Sequence, residues 1–491
     1  MKTLSRQTEI LEKHKRYEKA YGKNELYWGL GIECESYFEM EIPKQVTADF
    51  LASHHKRERY SVDYYTSYKV DLLNKAFSTF EGKSDPVQLP ILLNSHIFTK
   101  TDSTLQHKTL YEKNTPPNPK FSGKTIFDLM KEENPEFFGK QFEENFTFDG
   151  DSIEIMTQHF YKATIEDVLD ELQGKQTEWL RKLQAVFAKH KILPEQGTVN
   201  WIQGNHGFAV MATNINQLAI FNNGTYHINI TLPTKLNAEG KIANRSLFVE
   251  NHRAFIRLIQ WMEPLLIANF GSPDPLAWID PQHFSAGSQR AAMSRYIGVG
   301  TFDTDTMPEG KILTTDLSGI QSTWYTEYHK TSGYNALDKI GLDINFLKHW
   351  NHGVEIRFFD WFPTARLQGL LRFLVYLGDC ALEKGCKKNP IKDPIWNAWM
   401  VRVIQKGSAA GLTFQEAKLL ESICGIYISP TSNLQQVFAE LFSKLTSRFK
   451  KKGPCSQYFM KKQKETPKPP VSNTVVLTPE DTACKNIHRC F

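Results

Sequence analysis

The octapeptide GVEIRFFD, residues 353–360, decides the fold because its side chains alternate as those of a β-strand do. Glu355 and Arg357 share one face of such a strand, and three apolar side chains share the other. An ion pair to a neighbouring strand would explain both charges. A carboxylate beside a guanidinium also suits a metal–phosphate site, where the acid holds the cation and the arginine binds phosphoryl oxygens.

Two glutamates lie on one face of a second predicted strand, GIECE at residues 31–35. Because side chains alternate along a strand, Glu33 and Glu35 point the same way. Their like charges repel each other unless a cation lies between or above them. A solvent-facing strand with two surface glutamates is the simpler interpretation of this segment taken alone.

Two further predicted strands carry polar groups of the same kind. In DSIEIMT, residues 151–157, Glu154 lies between two isoleucines. In GTYHINITL, residues 224–232, His227 and Asn229 share one face. A neutral imidazole can bind a metal or a phosphate oxygen. For each segment alone, a surface glutamate or a hydrogen-bonded histidine remains open as the alternative.

The pattern along the rest of the chain predicts an α+β protein. Short alternating segments separated by turn sequences predict an antiparallel meander at residues 199–203, 207–213, 217–221 and 226–232. Apolar periodicity predicts helices after Thr164, at about 246–267, and from 366 onward, where Thr413 and Glu416 form a capping box. We expect a curved antiparallel sheet packed with helices and a helical C-terminal region.

Length, charge and cysteine content narrow the class of protein. The 491 residues exceed one ordinary core, and a net charge of +5 is too small to indicate a nucleic-acid partner. The N-terminal stretch is charged and no apolar segment is long enough to cross a bilayer, so we expect no membrane partner. Seven cysteines without CxxC spacing favour a reducing, cytoplasmic location.

The order of the four motifs resembles that of the glutamine synthetase-like carboxylate–amine ligases, a superfamily that includes glutamate–cysteine ligases and amidoligases. GIECE resembles their first metal strand, DSIEIMT their D-x-x-x-E-I-x-T strand, GTYHINITL their H-x-H/N strand, and GVEIRFFD their E-x-R strand. The segment AGSQRAAMSR, residues 286–295, resembles the one that carries their nucleotide-phosphate arginines. The resemblance covers about residues 27–365.

The resemblance implies a site for ATP and for Mg²⁺, or Mn²⁺ in its place. One ion would be held by Glu33, His227 and Glu355. A second would be held by Glu35 and Glu154. Carboxylate and phosphate oxygens are the ligands that magnesium prefers.

Further side chains are implied to act on the nucleotide. The implied nucleotide contacts are Arg290, Arg295, Arg357 and Asn229, and the implied catalytic residues are the three arginines and Glu355. The implied reaction joins a small-molecule or peptide carboxylate to an amine through an acyl phosphate, for which ATP supplies the phosphoryl group.

The expected organisation has four parts. These are a charged N-terminal helix at 1–26, a glutamine synthetase-like catalytic domain at 27–365 with an insertion at about 48–146, a helical part at 366–447, and a flexible, basic, proline-containing tail at 448–491. The insertion is expected to have little regular structure and to shield the site from water.

Two other functions fit the same motifs. Guanido kinases share the implied fold and transfer phosphate to a guanidinium group. A binding or structural protein could keep the fold without turnover. The sequence specifies neither the acid, nor the amine, nor the oligomeric state.

Overall fold

The computed structural model describes residues 6–23, 26–41, 90–99, 124–140, 142, 145–150, 152–157, 162–192, 197–206, 208–212, 214–220, 224–273, 277, 286–288, 291, 344–346, 353–390, 393–450 and 452–460. Across these residues the protein mixes α-helices with open, mainly antiparallel sheets, as the sequence predicts.

The strands of the described part form two open sheets. They are Leu26–Ser36 (β1), Phe38–Glu41 (β2), Ile91–Leu93 (β3), Phe146–Asp149 (β4), Ser152–Met156 (β5), Thr198–Trp201 (β6), Phe208–Met211 (β7), Asn214–Ile220 (β8), Thr225–Lys235 (β9), Ile344–Phe346 (β10) and Val354–Asp360 (β11). The first sheet has the order β10-β11-β9-β1-β5-β4 and is antiparallel throughout. The second has the order β6-β2-β3-β7-β8, with a parallel pair between β3 and β7.

The described part of the chain also contains helices, joined by turns and loops. They are Arg6–Tyr21 (α1), Ser95–Thr99 (α2), Ile126–Glu133 (α3), Ile165–Lys189 (α4), Arg245–Phe270 (α5), Leu367–Lys384 (α6), Pro394–Lys406 (α7), Phe414–Cys424 (α8), Leu434–Phe449 (α9) and Ser456–Phe459 (α10), with a π-helical segment at Pro135–Lys140 and 3₁₀ turns at Thr364–Arg366 and Gly407–Ala410. The capping box predicted at Thr413 and Glu416 is confirmed. Thr164 caps α4 by accepting a hydrogen bond from the Asp167 backbone N–H at 3.1 Å.

Helices cover the apolar face of the first sheet. Leu30, Ile32 and Ile228 lie on the face opposite the glutamates of β1 and are fully buried. Helix α4 contacts β1 and β5, and α5 contacts β9 and β11. Further helices, α6, α7 and α9, pack around α5. This core leaves the other face of the sheet to the polar side chains.

The predicted meander is wrong in its pairing. Only β7 and β8 pair with each other as a meander requires, because β6 pairs with β2 and β9 lies between β1 and β11. The insertion explains the difference, since its residues 91–93 form β3 between β2 and β7. The described parts of the insertion are regular and buried, contrary to expectation: Leu92, Phe98 and Met130 have no exposed surface.

Both ends of the described chain pack onto the core. Tyr17 of α1 is buried against Tyr27 and Trp28 of β1, so one face of this charged helix packs on the first sheet. Beyond the predicted start of the tail at 448, residues 452–460 are packed against α6. There the Asp379 carboxylate accepts hydrogen bonds from the backbone N–H groups of Cys455 and Ser456, at 2.5 and 3.0 Å.

The predictions about membrane segments and cysteines can be compared with the described residues. None of the helices in this part of the chain has the length and apolar character needed to cross a membrane. The five cysteines described, Cys34, Cys380, Cys386, Cys424 and Cys455, are free thiols.

Candidate functional site

The strand register brings the predicted metal ligands together on one face of the first sheet. Glu33 of β1 lies directly opposite His227 of β9, and Glu35 lies directly opposite Glu154 of β5. Residues opposite each other in an antiparallel pair point to the same face, with Cβ atoms about 5 Å apart. Strand β1 therefore carries two neighbouring ligand pairs, one on each side.

The first group consists of Glu33, His227 and Glu355. Each offers a ligand atom, and these atoms all lie within 4.8 Å of one another. All three residues are buried, and Glu355 has no exposed surface. His227 Nδ1 lies 2.7 Å from Glu33 Oε2. Two carboxylates and an imidazole within this distance fit a divalent cation such as Mg²⁺ or Mn²⁺.

The second group consists of Glu35, Glu154 and Asp149. Its ligand atoms also lie within 4.8 Å of one another, and all are carboxylate oxygens, which suit Mg²⁺. Asp149 was not predicted from the sequence. It closes β4 at a turn, Asp149–Gly150, and its side chain is exposed, so the only signal was an acidic residue five positions before Glu154 in a hairpin.

The two groups are neighbours. His227 connects them: its Nε2 lies 3.6 Å from Glu35 Oε1, and its Nδ1 lies 2.7 Å from Glu33 Oε2. An imidazole between two carboxylates is held in a fixed orientation. All five predicted metal ligands therefore lie around one stretch of β1.

Glu355 and Arg357 form a direct pair. Arg357 donates from Nη1 to Glu355 Oε1 at 2.9 Å, and Asn345 of β10 donates to Glu355 Oε2 at 2.7 Å. Burial alone would lower the pKa of Arg357, but the negative charges of Glu355, Glu33 and Glu35 raise the pKa above its ordinary value. The guanidinium therefore stays charged in the site. Asn345 was not predicted from the sequence, because its strand has only three residues.

Asn229 lies in the same row of the sheet. It is opposite Gly31 on one side and opposite Glu355 on the other, so its side chain points to the face of the metal ligands. The residue is 1% exposed, and neither its amide nitrogen nor its amide oxygen has a hydrogen-bond partner in the described part of the protein. Buried amides are normally hydrogen-bonded, so the Asn229 amide is an exception that calls for an explanation.

Thr231, on the same face of β9, has a structural bond instead. Its hydroxyl accepts a hydrogen bond from the Gly353 backbone N–H at 2.9 Å, which fixes the start of β11.

The predicted phosphate arginines Arg290 and Arg295 lie outside the described residues. Near them, Ser288 and Ala291 are buried. The Ser288 hydroxyl donates to Asp360 Oδ2 at 2.5 Å and accepts from the Ala291 backbone N–H at 3.0 Å. Asp360 is the last residue of β11, so Ser288 is hydrogen-bonded to the strand that carries Glu355.

Comparison with known proteins gives a relative and no activity. The chain matches no family model. It is similar to the uncharacterized protein R704 of Acanthamoeba polyphaga mimivirus, with 38% identity over 407 residues, which cover 82% of this chain and 70% of the viral protein.

Proposed function

We propose that this chain, which belongs to the same protein family as that mimivirus protein, is an ATP- and Mg²⁺-dependent ligase that joins a carboxylate to an amine. The observation that carries the proposal is the convergence of two ligand groups on one face of the sheet, each with its ligand atoms within 4.8 Å. The resemblance of the four strand motifs to carboxylate–amine ligases supplies the reaction type.

Each ligand group would hold one metal ion. Glu33, His227 and Glu355 would hold one divalent cation, and Glu35, Glu154 and Asp149 would hold another. Bound there, the cations would neutralise the charge on the β- and γ-phosphates of ATP. Asn345 keeps the Glu355 carboxylate in place through its hydrogen bond to Oε2.

Arg357 places a positive charge directly beside Glu355. Its bond to Glu355 orients the guanidinium, and burial of most of the side chain limits competition from water. A charged guanidinium fixed in this way stabilises the negative charge of a phosphoryl group during transfer. Under the proposal Arg290 and Arg295 add to this effect.

Asn229 provides a neutral contact for the nucleotide. Its amide has a donor and an acceptor that the described protein does not satisfy, and it lies beside the first metal group, on the strand of His227 and opposite Glu355. A phosphate oxygen would accept from the amide nitrogen.

The proposed reaction has two steps. An oxygen of the substrate carboxylate attacks the γ-phosphorus of ATP, and the bond to the β-phosphate oxygen breaks, which gives an acyl phosphate and ADP. The nitrogen of the amine then attacks the acyl carbon, inorganic phosphate leaves, and the nitrogen loses a proton. The first step is required because a carboxylate oxygen is a poor leaving group.

The test is ADP release from ATP with Mg²⁺ and pools of carboxylates and amines. We expect release that requires both partners, or a carboxylate with hydroxylamine as the trap. Glu355→Gln should abolish it with the fold retained, as judged by circular dichroism. The matched control is Glu39→Gln, since Glu39 also pairs with a buried histidine, His206 at 3.0 Å, but belongs to the second sheet.

Two outcomes would replace the proposal. Release of ADP with a guanidino substrate alone would favour a guanido kinase. Binding of ATP with no turnover on any pool would favour a protein that keeps the site without the reaction.

A further inference from the structure

A concave, positively charged surface lies away from the metal ligands, between the first half of α5 and the end of α6. This cavity has a volume of about 660 Å³, within the range of pockets that hold small organic ligands. We call it the basic groove. Its charged lining residues are five cations and one anion: Arg245, Arg253, Arg257, Lys384, Lys387 and Glu250.

The positions of these cations are not explained by helix stability. Arg245 occupies the first turn of α5, where the helix dipole favours acidic side chains, and that turn contains none. Arg253 and Arg257 are four residues apart on the same helix, an arrangement in which like charges destabilise the helix. Lys384 alone has the usual explanation, since it lies in the last turn of α6.

The groove has fixed elements and an apolar floor. Arg257 is half-buried and donates from Nη1 to the Cys386 backbone carbonyl at 3.2 Å, which holds one guanidinium in the wall. Ala254 and Ala381 are buried and lie among the lining residues. At Gly385, with φ at 67°, the chain leaves α6, and a side chain there would meet open space. The groove therefore offers charge at its walls and apolar contact below.

We propose that the basic groove binds a small organic molecule that carries phosphate groups. Arginine guanidinium groups bind phosphate oxygens in pairs of parallel hydrogen bonds, and three arginines are present. The apolar floor is complementary to the organic part of such a ligand, which distinguishes this ligand class from inorganic phosphate alone.

The groove and the proposed metal site lie on different sides of α5. His252, on the sheet side, is fully buried and accepts from the Leu232 backbone N–H at 3.0 Å. Phe248 stacks on Phe346 of β10, with ring centroids 5.7 Å apart. The neighbouring residues Arg253 and Glu250 line the groove instead. The groove and the two ligand groups therefore share no residue.

The test is isothermal titration calorimetry of the full chain with fructose 1,6-bisphosphate as the probe, in EDTA and 0.15 M salt. The groove variant is Arg253→Gln combined with Lys387→Gln. The matched control is Lys406→Gln combined with Lys418→Gln, which removes the same charge from lysines that do not line the groove. Val249 also lines the groove, so a second groove variant, Val249→Trp, keeps every charge and fills the apolar part of the cavity.

We expect the groove charge variant to raise Kd at least tenfold, and Val249→Trp to raise it similarly. The control should change Kd less than threefold. Glu33→Gln, in the proposed metal site, should leave Kd unchanged. Equal weakening by the groove and control variants would overturn the proposal, because only net charge would then matter. Absence of probe binding to the unaltered chain, or its loss in Glu33→Gln alone, would overturn it as well.

Discussion

Replacement of Glu33 by glutamine tests the first metal group most directly. The substitution keeps the shape of the side chain and removes one of two carboxylates from a group whose third member is His227. Loss of a partner that only supports a metal ligand costs about 10–100-fold in affinity, so loss of a ligand charge should cost about 100-fold or more. The site would then bind its ion only at concentrations that saturate the unaltered protein many times over.

This loss converts into a difference in stability. A ligand at 100 times its Kd raises the free energy of unfolding by about 2.7 kcal/mol, and a ligand at a concentration equal to Kd raises it by about 0.4 kcal/mol. At the Mn²⁺ concentration that gives the first value in the unaltered chain, Glu33→Gln should therefore lose about 2.3 kcal/mol of metal-dependent stabilisation. Each protein's metal-free form is the reference, so the lost Glu33–His227 contact cancels.

The assay is urea unfolding with and without Mn²⁺, together with electron paramagnetic resonance of free Mn²⁺ to count bound ions. We expect the unaltered chain to bind one ion per ligand group and Glu33→Gln to lose the first. Glu39→Gln is the control, because it removes a similar carboxylate from a similar histidine, His206. If the two variants retain the same number of ions and the same stabilisation, the assignment of the first group is refuted.

Three further outcomes are expected. Asn229→Leu should leave the free energy of unfolding unchanged or higher, because neither amide atom has a described partner, but should raise the KM for ATP about tenfold, the value of one hydrogen bond, in steady-state kinetics. Burial raises the pKa of Asp379 to about 6 from 3.8, so between these values the folded state binds a proton that the unfolded state does not; the free energy of unfolding should fall by about 2 kcal/mol from pH 4 to pH 6 relative to Asp379→Asn, in urea unfolding at each pH. Thr413→Ala should cost about 1 kcal/mol in the same assay, because the N-cap of α8 loses its hydroxyl acceptor.

The alternation of side chains made the polar face of the sheet predictable. Glu33 and Glu35, His227 and Asn229, and Glu355 and Arg357 share a face in the structure as they do by sequence, because that property depends on the strand period. An irregularity in β11 between Ile356 and Phe359 ends the alternation there, which the sequence pattern did not predict. The long helices were predictable because their apolar residues recur with the helical period. The order of the strands in the two sheets could not be predicted from these patterns, because it depends on contacts across the whole chain.

Three features escaped the sequence analysis for separate physical reasons. Strand β3 belongs to a polar region and has three residues, too few to show a period. Asp149 is a turn residue, and acidic residues in turns are usually explained by the turn itself. The direct pairing of Glu33 with His227 depends on the register between β1 and β9, which tertiary packing sets.

The central position of β1 has a consequence for synthesis. Glu33 and His227 are 194 residues apart in the chain but pair side by side. At about 5–20 residues per second, a ribosome needs on the order of 10–40 s to make β9 after β1. During that interval one long edge of β1 has no native neighbour, and an open edge invites association with other nascent chains. Yield in a cell should therefore depend on how well the unfinished protein is kept apart from its copies.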